Sequence, residues 1–149
     1  TIQDMTERAE RHNRELKYGL RSHVIVRETE AEARSAADRL ISRLDPDTGE
    51  AIRQKSLDTA SVGVSRQSEL RDGADNDGYV EANLWTGVGK ARSGAGAAIV
   101  GDPDQVAAKL AAYQDVGVEA FILSGYPHIA ECDLFAEHVL PQLNHGKLY

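Results

Sequence analysis

At 149 residues the chain is long enough for one domain with a sizeable core. Its formal net charge of -7 argues against general nucleic-acid binding, which needs cations to neutralise phosphates, yet leaves room for a small anionic substrate met by a few placed arginines. The single cysteine, Cys132, excludes an internal disulfide and fits a reducing, cytoplasmic setting, and no apolar run approaches the ~20 residues of a membrane span.

The chain opens without an initiator Met on Thr1-Ile2-Gln3-Asp4, which reads as a piece of something longer. Residues 3 to 15 are rich in helix formers and charges, the pattern of a mostly solvated helix. Residues 17 to 27 change character. Lys17-Tyr18-Gly19-Leu20-Arg21-Ser22-His23-Val24-Ile25-Val26-Arg27 carries the β-branched and aromatic side chains of a strand. A period of two puts Arg21 and His23 on one face, and Leu20, Val24 and Val26 on the other. Thr29 followed by Glu30 and Glu32 is a helix start. That helix is expected to continue through Leu40, Ile41 and Leu44 until Asp45-Pro46 stops it, with Ala33, Ala37, Leu40, Ile41 and Leu44 facing inward.

Residues 45 to 82 read as an irregular insertion, with short helical patterns around 50 to 57 and 65 to 71. The acidic turn from Arg71 to Gly78 lacks the bidentate Glu and the later ligands of a calcium loop. Residues 83 to 98 hold glycines at 87, 89, 94 and 96 beside Lys90 and Arg92, the composition of a mobile loop. Ala97-Ala98-Ile99-Val100 is a short buried strand. Asp102, Pro103 and Gln105 then open a helix with a capping-box arrangement, and Val106, Leu110 and Tyr113 form its inward stripe. Gly117 ends it. A strand over 118 to 124 follows, then the turn Gly125-Tyr126-Pro127-His128, then a helix over 129 to 140 closed by Pro141. His128 is expected to cap that last helix.

Alternating strands and helices imply a parallel sheet covered by helices, a fold in which polar chemistry sits where strands end. Tyr126 and His128 occupy such an end. On spacing alone, Arg21 and His23 read first as an exposed or hydrogen-bonded pair on a wet face, Arg92 reads first as a solvated loop residue, and Tyr126 can be a turn anchor. His12, His138 and His145 lie in charged or terminal settings. No two histidines have metal-ligand spacing with an acidic partner, so no metal is expected.

Four segments, taken together, carry a resemblance. They are Arg21-Ser22-His23-Val24-Ile25-Val26-Arg27-Glu28-Thr29, Gly87-Val88-Gly89-Lys90-Ala91-Arg92-Ser93-Gly94, Val100-Gly101-Asp102-Pro103-Asp104-Gln105-Val106 and Ile122-Leu123-Ser124-Gly125-Tyr126-Pro127-His128. The set resembles the bacterial luciferase-like flavin monooxygenases, most closely the FMNH2-dependent alkanesulfonate monooxygenases. The resemblance covers essentially the whole chain. It implies one partial domain over residues 1–149, the C-terminal part of an α/β (β/α)8 TIM barrel, with the insertion and mobile loop at about 45–98. It implies reduced FMN (FMNH2) from a separate NAD(P)H-dependent flavin reductase, O2 as co-substrate, and oxidation of a small anionic sulfonate to an aldehyde and sulfite.

The resemblance further implies that Arg21 neutralises the sulfonate or peroxide charge and that His23 works beside it in proton transfer or binding. It implies that Tyr126 donates a hydrogen bond at the mouth, and that Arg92 closes over the loaded site as part of a lid. The residue chemistry suits those roles. Arginine presents a planar set of donors to an anion, histidine exchanges protons near neutral pH, and a lid keeps water from the reacting flavin. The family's N-terminal half, with an active-site cysteine and much of the flavin phosphate contact, has no counterpart here. Cys132 does not match that cysteine, and no residue is assigned to cofactor binding. A homo-oligomer is expected. Two other readings stand beside this one: a luciferase-like oxidoreductase of another substrate or a deazaflavin, and a non-catalytic half-barrel that self-associates or docks on a partner through its sheet edge.

Overall fold

The run of β-branched residues after Lys17 forms strand β1 (Tyr18–Val26), and this strand takes an inner place in the sheet. The computed structural model describes residues 2–45, 47–49, 51, 54, 62–91 and 96–146. Around β1 lie α1 (Ile2–Glu10), α2 (Glu30–Ile41), α3 (Val62–Asp72), β2 (Tyr79–Glu81), β3 (Leu84–Trp85), α4 (Val88–Ala91), β4 (Ala98–Gly101), α5 (Pro103–Asp115), β5 (Val118–Ser124) and α6 (His128–His138), with a 3₁₀ turn at Leu140–Gln142. Among the described residues, no helix is long and apolar enough to cross a membrane.

The strand order is β2-β3-β4-β1-β5. β4 pairs in parallel with the carboxyl half of β1, from His23↔Ala98 to Val26↔Gly101. β5 pairs in parallel with the amino half, from Tyr18↔Val118 to His23↔Ser124. Beyond β4, the β2–β3 hairpin extends the sheet antiparallel. Tyr79, Trp85, Ala98, His23 and Ser124 are successive register partners, so one transverse row crosses every strand. Side chains paired in this way point to the same face.

The two faces are filled differently. On one, α2 lays Ala33, Ala36 and Ala37 against Ile25, Ala98 and Val100, and Tyr79, Trp85 and Val88 join this cluster. On the other, Val106 and Leu110 of α5 and Phe135 of α6 pack on Val24, Val26 and Ile99. Small residues on α2 let that helix approach closely, and the branched residues of the strands fill the remaining volume. The α/β class read from the sequence is the class observed.

The caps are largely as expected. Thr29 Oγ1 accepts the Glu32 N–H at 3.3 Å, and Asp102 with Gln105 forms the full reciprocal capping box. The Glu30 carboxylate ties the starts of α2 and α5 together, accepting from Gln105 Nε2 at 2.7 Å and Arg34 Nε at 2.8 Å. The Gln105 and Arg34 hydrogen bonds hold its carboxyl below the usual range.

Three expectations are corrected. Helix α2 ends at Ile41, short of Asp45-Pro46, because the Ser42 N–H and hydroxyl both donate to the Arg39 carbonyl and close the last turn early. Leu40 is consequently exposed rather than part of the stripe. The stretch read as irregular insertion and mobile loop contains the ordered β2–β3 hairpin and α4. Its Gly87 is no hinge: a Cβ there would lie 2.1 Å from Cζ2 of the Trp85 indole, so the ring is seated directly on the glycine. The helical pattern at 50 to 57 and residues 92 to 95, including Arg92, lie largely or wholly outside the described residues.

Candidate active site at the strand ends

β1 delivers His23 and β5 delivers Ser124 to adjacent positions on one face, because the two residues are register partners. The imidazole is buried, at 6% exposure, and its Nδ1 lies 2.9 Å from Ser124 Oγ. The neighbouring Ser22 faces the other way, and its hydroxyl donates to the carbonyls of Ala97 at 3.0 Å and His23 at 3.1 Å. This pins the backbone where β1 passes from one neighbouring strand to the other.

The turn after β5 brings in the next ring. Tyr126 is half-buried, with its centroid 5.4 Å from that of His23 and its plane tilted by 33°. His128 stands edge-on to Tyr126, with centroids 4.7 Å apart. These are ordinary aromatic contact distances, so the three rings form one continuous group. The Tyr126–Pro127 peptide is cis. His128 does not cap α6, contrary to expectation. The capping position falls to Pro127, with no side-chain cap bond, and His128 is the first helical residue.

Arg21 lies on the His23 face, two residues upstream and roughly 6.5 Å along the strand at the usual strand rise. It is exposed, opposite Ile122, which is 67% exposed. The structure thus brings His23 and Tyr126 together, places Arg21 on the same open face below them, and does not describe Arg92.

Spacing gave no hint of a second arrangement at the same strand ends. Arg27, just past β1, and Glu131, in the first turn of α6, meet in a two-bond fork at 2.7 Å and 3.2 Å. Glu131 also accepts the Val26 N–H at 3.4 Å, and the Arg27 guanidinium donates to the Val26 carbonyl as well. Gly125 makes the approach possible, since a Cβ at that position would lie 2.4 Å from Glu131 Cβ and 3.1 Å from the Val24 carbonyl. The partners are 104 residues apart in the chain, so only the fold joins them. Behind the rings, a cavity of about 190 Å³ lies between β1, β5 and α6, walled by Val24, Leu123, Ser124, Cys132 and Phe135. It is smaller than the several hundred Å³ of a typical ligand pocket.

The model of the luciferase-like monooxygenase family matches residues 1–120. Over 148 residues the chain is 65% identical to a sulfoquinovose monooxygenase of Novosphingobium aromaticivorans, covering 99% of this chain and 41% of that protein. Over 137 residues it is 56% identical to a sulfoquinovose monooxygenase of Agrobacterium fabrum, covering 92% of this chain and 36% of that protein. The chain therefore spans about two fifths of the length of the curated relatives it matches. The alternation of strand and helix here is thus a portion of a luciferase-like barrel, and the chain belongs to the luciferase-like monooxygenase family.

Proposed function

We propose that this chain supplies the strand-end part of the active site of a flavin-dependent sulfonate monooxygenase. The observation that carries the reading is the approach of the buried His23 imidazole and the Tyr126 ring, on the face that also bears Arg21. A titratable ring, a phenol and a guanidinium on one open face suit a substrate that combines a fixed anion with a reacting centre. The two relatives are named for sulfoquinovose, a sugar sulfonate, and this favours a sulfosugar over a simple alkanesulfonate.

The fit to a reduced flavin is partial. The half-buried Tyr126 ring, tilted by 33° against the buried His23, offers an aromatic surface to the reacting end of such a cofactor. The 190 Å³ cavity is too small for its ring system, so the cofactor belongs on the open face. Arg27, the cation at the strand ends, is already committed to Glu131 and does not serve a phosphate. The phosphate contact therefore falls to residues other than this group. When bound, reduced FMN supplies the oxygen chemistry, with a separate NAD(P)H-dependent reductase as its source. Arg21 holds the sulfonate, His23 moves a proton at its ring, Tyr126 orients the substrate by hydrogen bonding, and Arg92 closes the site against water.

The test is sulfite release by a protein that carries this chain at the length of its relatives, with reductase, NAD(P)H, FMN and O2. Sulfoquinovose is expected to yield sulfite faster than straight-chain alkanesulfonates. Absence of sulfite from every sulfonate tried would overturn the proposal, and faster turnover of alkanesulfonates would overturn the sulfosugar preference.

A further inference from the structure

We propose that Ser124 is the positioning residue for His23: its hydroxyl holds the imidazole through Nδ1 and fixes Nε2 as the ring atom that exchanges protons. The proton-exchange half of this statement rests on the reading of His23 just given; the positioning half does not.

The two residues meet because of register. Ser124 is the last residue of β5, paired with His23 on the same face, and its short side chain carries a hydroxyl to within 2.9 Å of Nδ1. A hydroxyl can donate or accept, so this bond sets the ring's orientation in either tautomer, and the other nitrogen becomes the working atom. Other contacts limit the ring further. Tyr126 lies against it at 5.4 Å with His128 beyond, while β4 presents only the methyl group of Ala98 at the paired position. Among the described residues, the titratable and charged groups near it include Arg21 on its own strand, Tyr126 from the turn and, beyond Tyr126, His128 from α6. The backbone beneath is paired on both edges, so a hydroxyl on β5 has a fixed target. Ser124 was not singled out by its place in the sequence, where it reads as the polar end of an apolar run.

Imidazole 15N spectra of the 149-residue chain, with His23 identified by its loss in His23→Gln, test this directly. The Nδ1 resonance of His23 is expected to stand apart from that of the exposed His12, to move by several ppm in Ser124→Ala, and to return in Ser124→Thr. If His23 in the unaltered chain shows the shifts of His12, the proposal is wrong, and this comparison needs no variant to fold. A Ser124→Ala spectrum with His23 unmoved overturns it equally. In a protein of the relatives' length, Ser124→Ala should lower kcat roughly tenfold or more, with KM for the sulfonate within about twofold and activity restored by Thr. An unchanged kcat refutes the role. If the protein releases no sulfite at all, the functional reading falls while the spectra still decide on Ser124.

Discussion

The Arg27 guanidinium and the Glu131 carboxylate meet fork to fork, with the acid almost fully enclosed at 2% side-chain exposure and the base at 26%. The pair fastens the end of β1 to the first turn of α6, and so fixes the turn that carries Tyr126. A buried pair of this kind adds little over an apolar substitute, but breaking it from one side is costly, because the remaining charge stays in a poorly polarisable setting. Arg27→Ala is expected to destabilise the chain by about 3–5 kcal/mol. Glu131→Gln should cost less, since Arg27 can still reach water. Urea unfolding of both variants checks the order, and equal or negligible losses would show that the fork is not structural.

Gly87 offers a choice between two mechanisms. As a lid hinge it would accept Ala with unchanged stability and altered turnover. As the seat of the Trp85 indole it cannot, because the added methyl meets a rigid ring that is 1% exposed and has nowhere to move. Gly87→Ala should therefore lower the unfolding free energy by at least about 1–3 kcal/mol, the usual range for overpacking. A variant with wild-type Tm would restore the hinge.

Tyr79 gives a pH-dependent prediction. Its hydroxyl is buried without a hydrogen-bond partner, and burial pushes the phenol up to about 12. The folded chain thus keeps a proton that the unfolded chain releases near 10. The group's contribution is fully present below pH ~10 and is lost as pH rises towards ~12. Tyr79→Phe should flatten that alkaline loss and leave neutral-pH stability equal or higher, because an unsatisfied buried hydroxyl costs about 1–3 kcal/mol. Chemical denaturation at neutral pH and again near pH ~11 makes the comparison. A Phe variant that loses stability at neutral pH would mean the hydroxyl has a partner.

Arg21 bears on the sulfonate itself. In a protein of the relatives' length, Arg21→Ala should reduce kcat/KM for the sulfonate roughly tenfold to a hundredfold, the worth of a hydrogen bond to a charged group. Arg21→Lys should recover part of it, since the charge remains and the fork is lost. The exposure of Arg21 predicts that neither variant disturbs folding. Steady-state kinetics with matched Tm values decide, and full activity in the Ala variant removes Arg21 from the site.

Much of this was legible in the sequence, and for identifiable reasons. β1, β4 and β5 announce themselves by apolar runs bounded by turn residues, and the Asp102–Gln105 capping box depends only on neighbours three apart. The shared face of Arg21 and His23 follows from strand period. What was hidden depends on pairing between distant segments. The β2–β3 hairpin is too short for periodicity, and its tight turn rests on Asn83 with φ at 63°, a conformation that composition does not advertise. The Arg27–Glu131 fork and the Ser124–His23 bond exist only once the strands are placed in register. His128 was misread because a polar residue at a helix start resembles a cap until its ring is seen against Tyr126.

The row from Tyr79 through Trp85 and Ala98 to His23 and Ser124 sets the hairpin and the imidazole in one line across the sheet. Only one methyl group, on the fully enclosed Ala98, stands at the register position between the indole's strand and that of the imidazole. Position 98 is therefore a small, fully enclosed spacer on the row that ends at the serine hydroxyl. A larger side chain at position 98 would crowd the row on which the imidazole stands, so the room left to the histidine is written partly into an alanine on another strand.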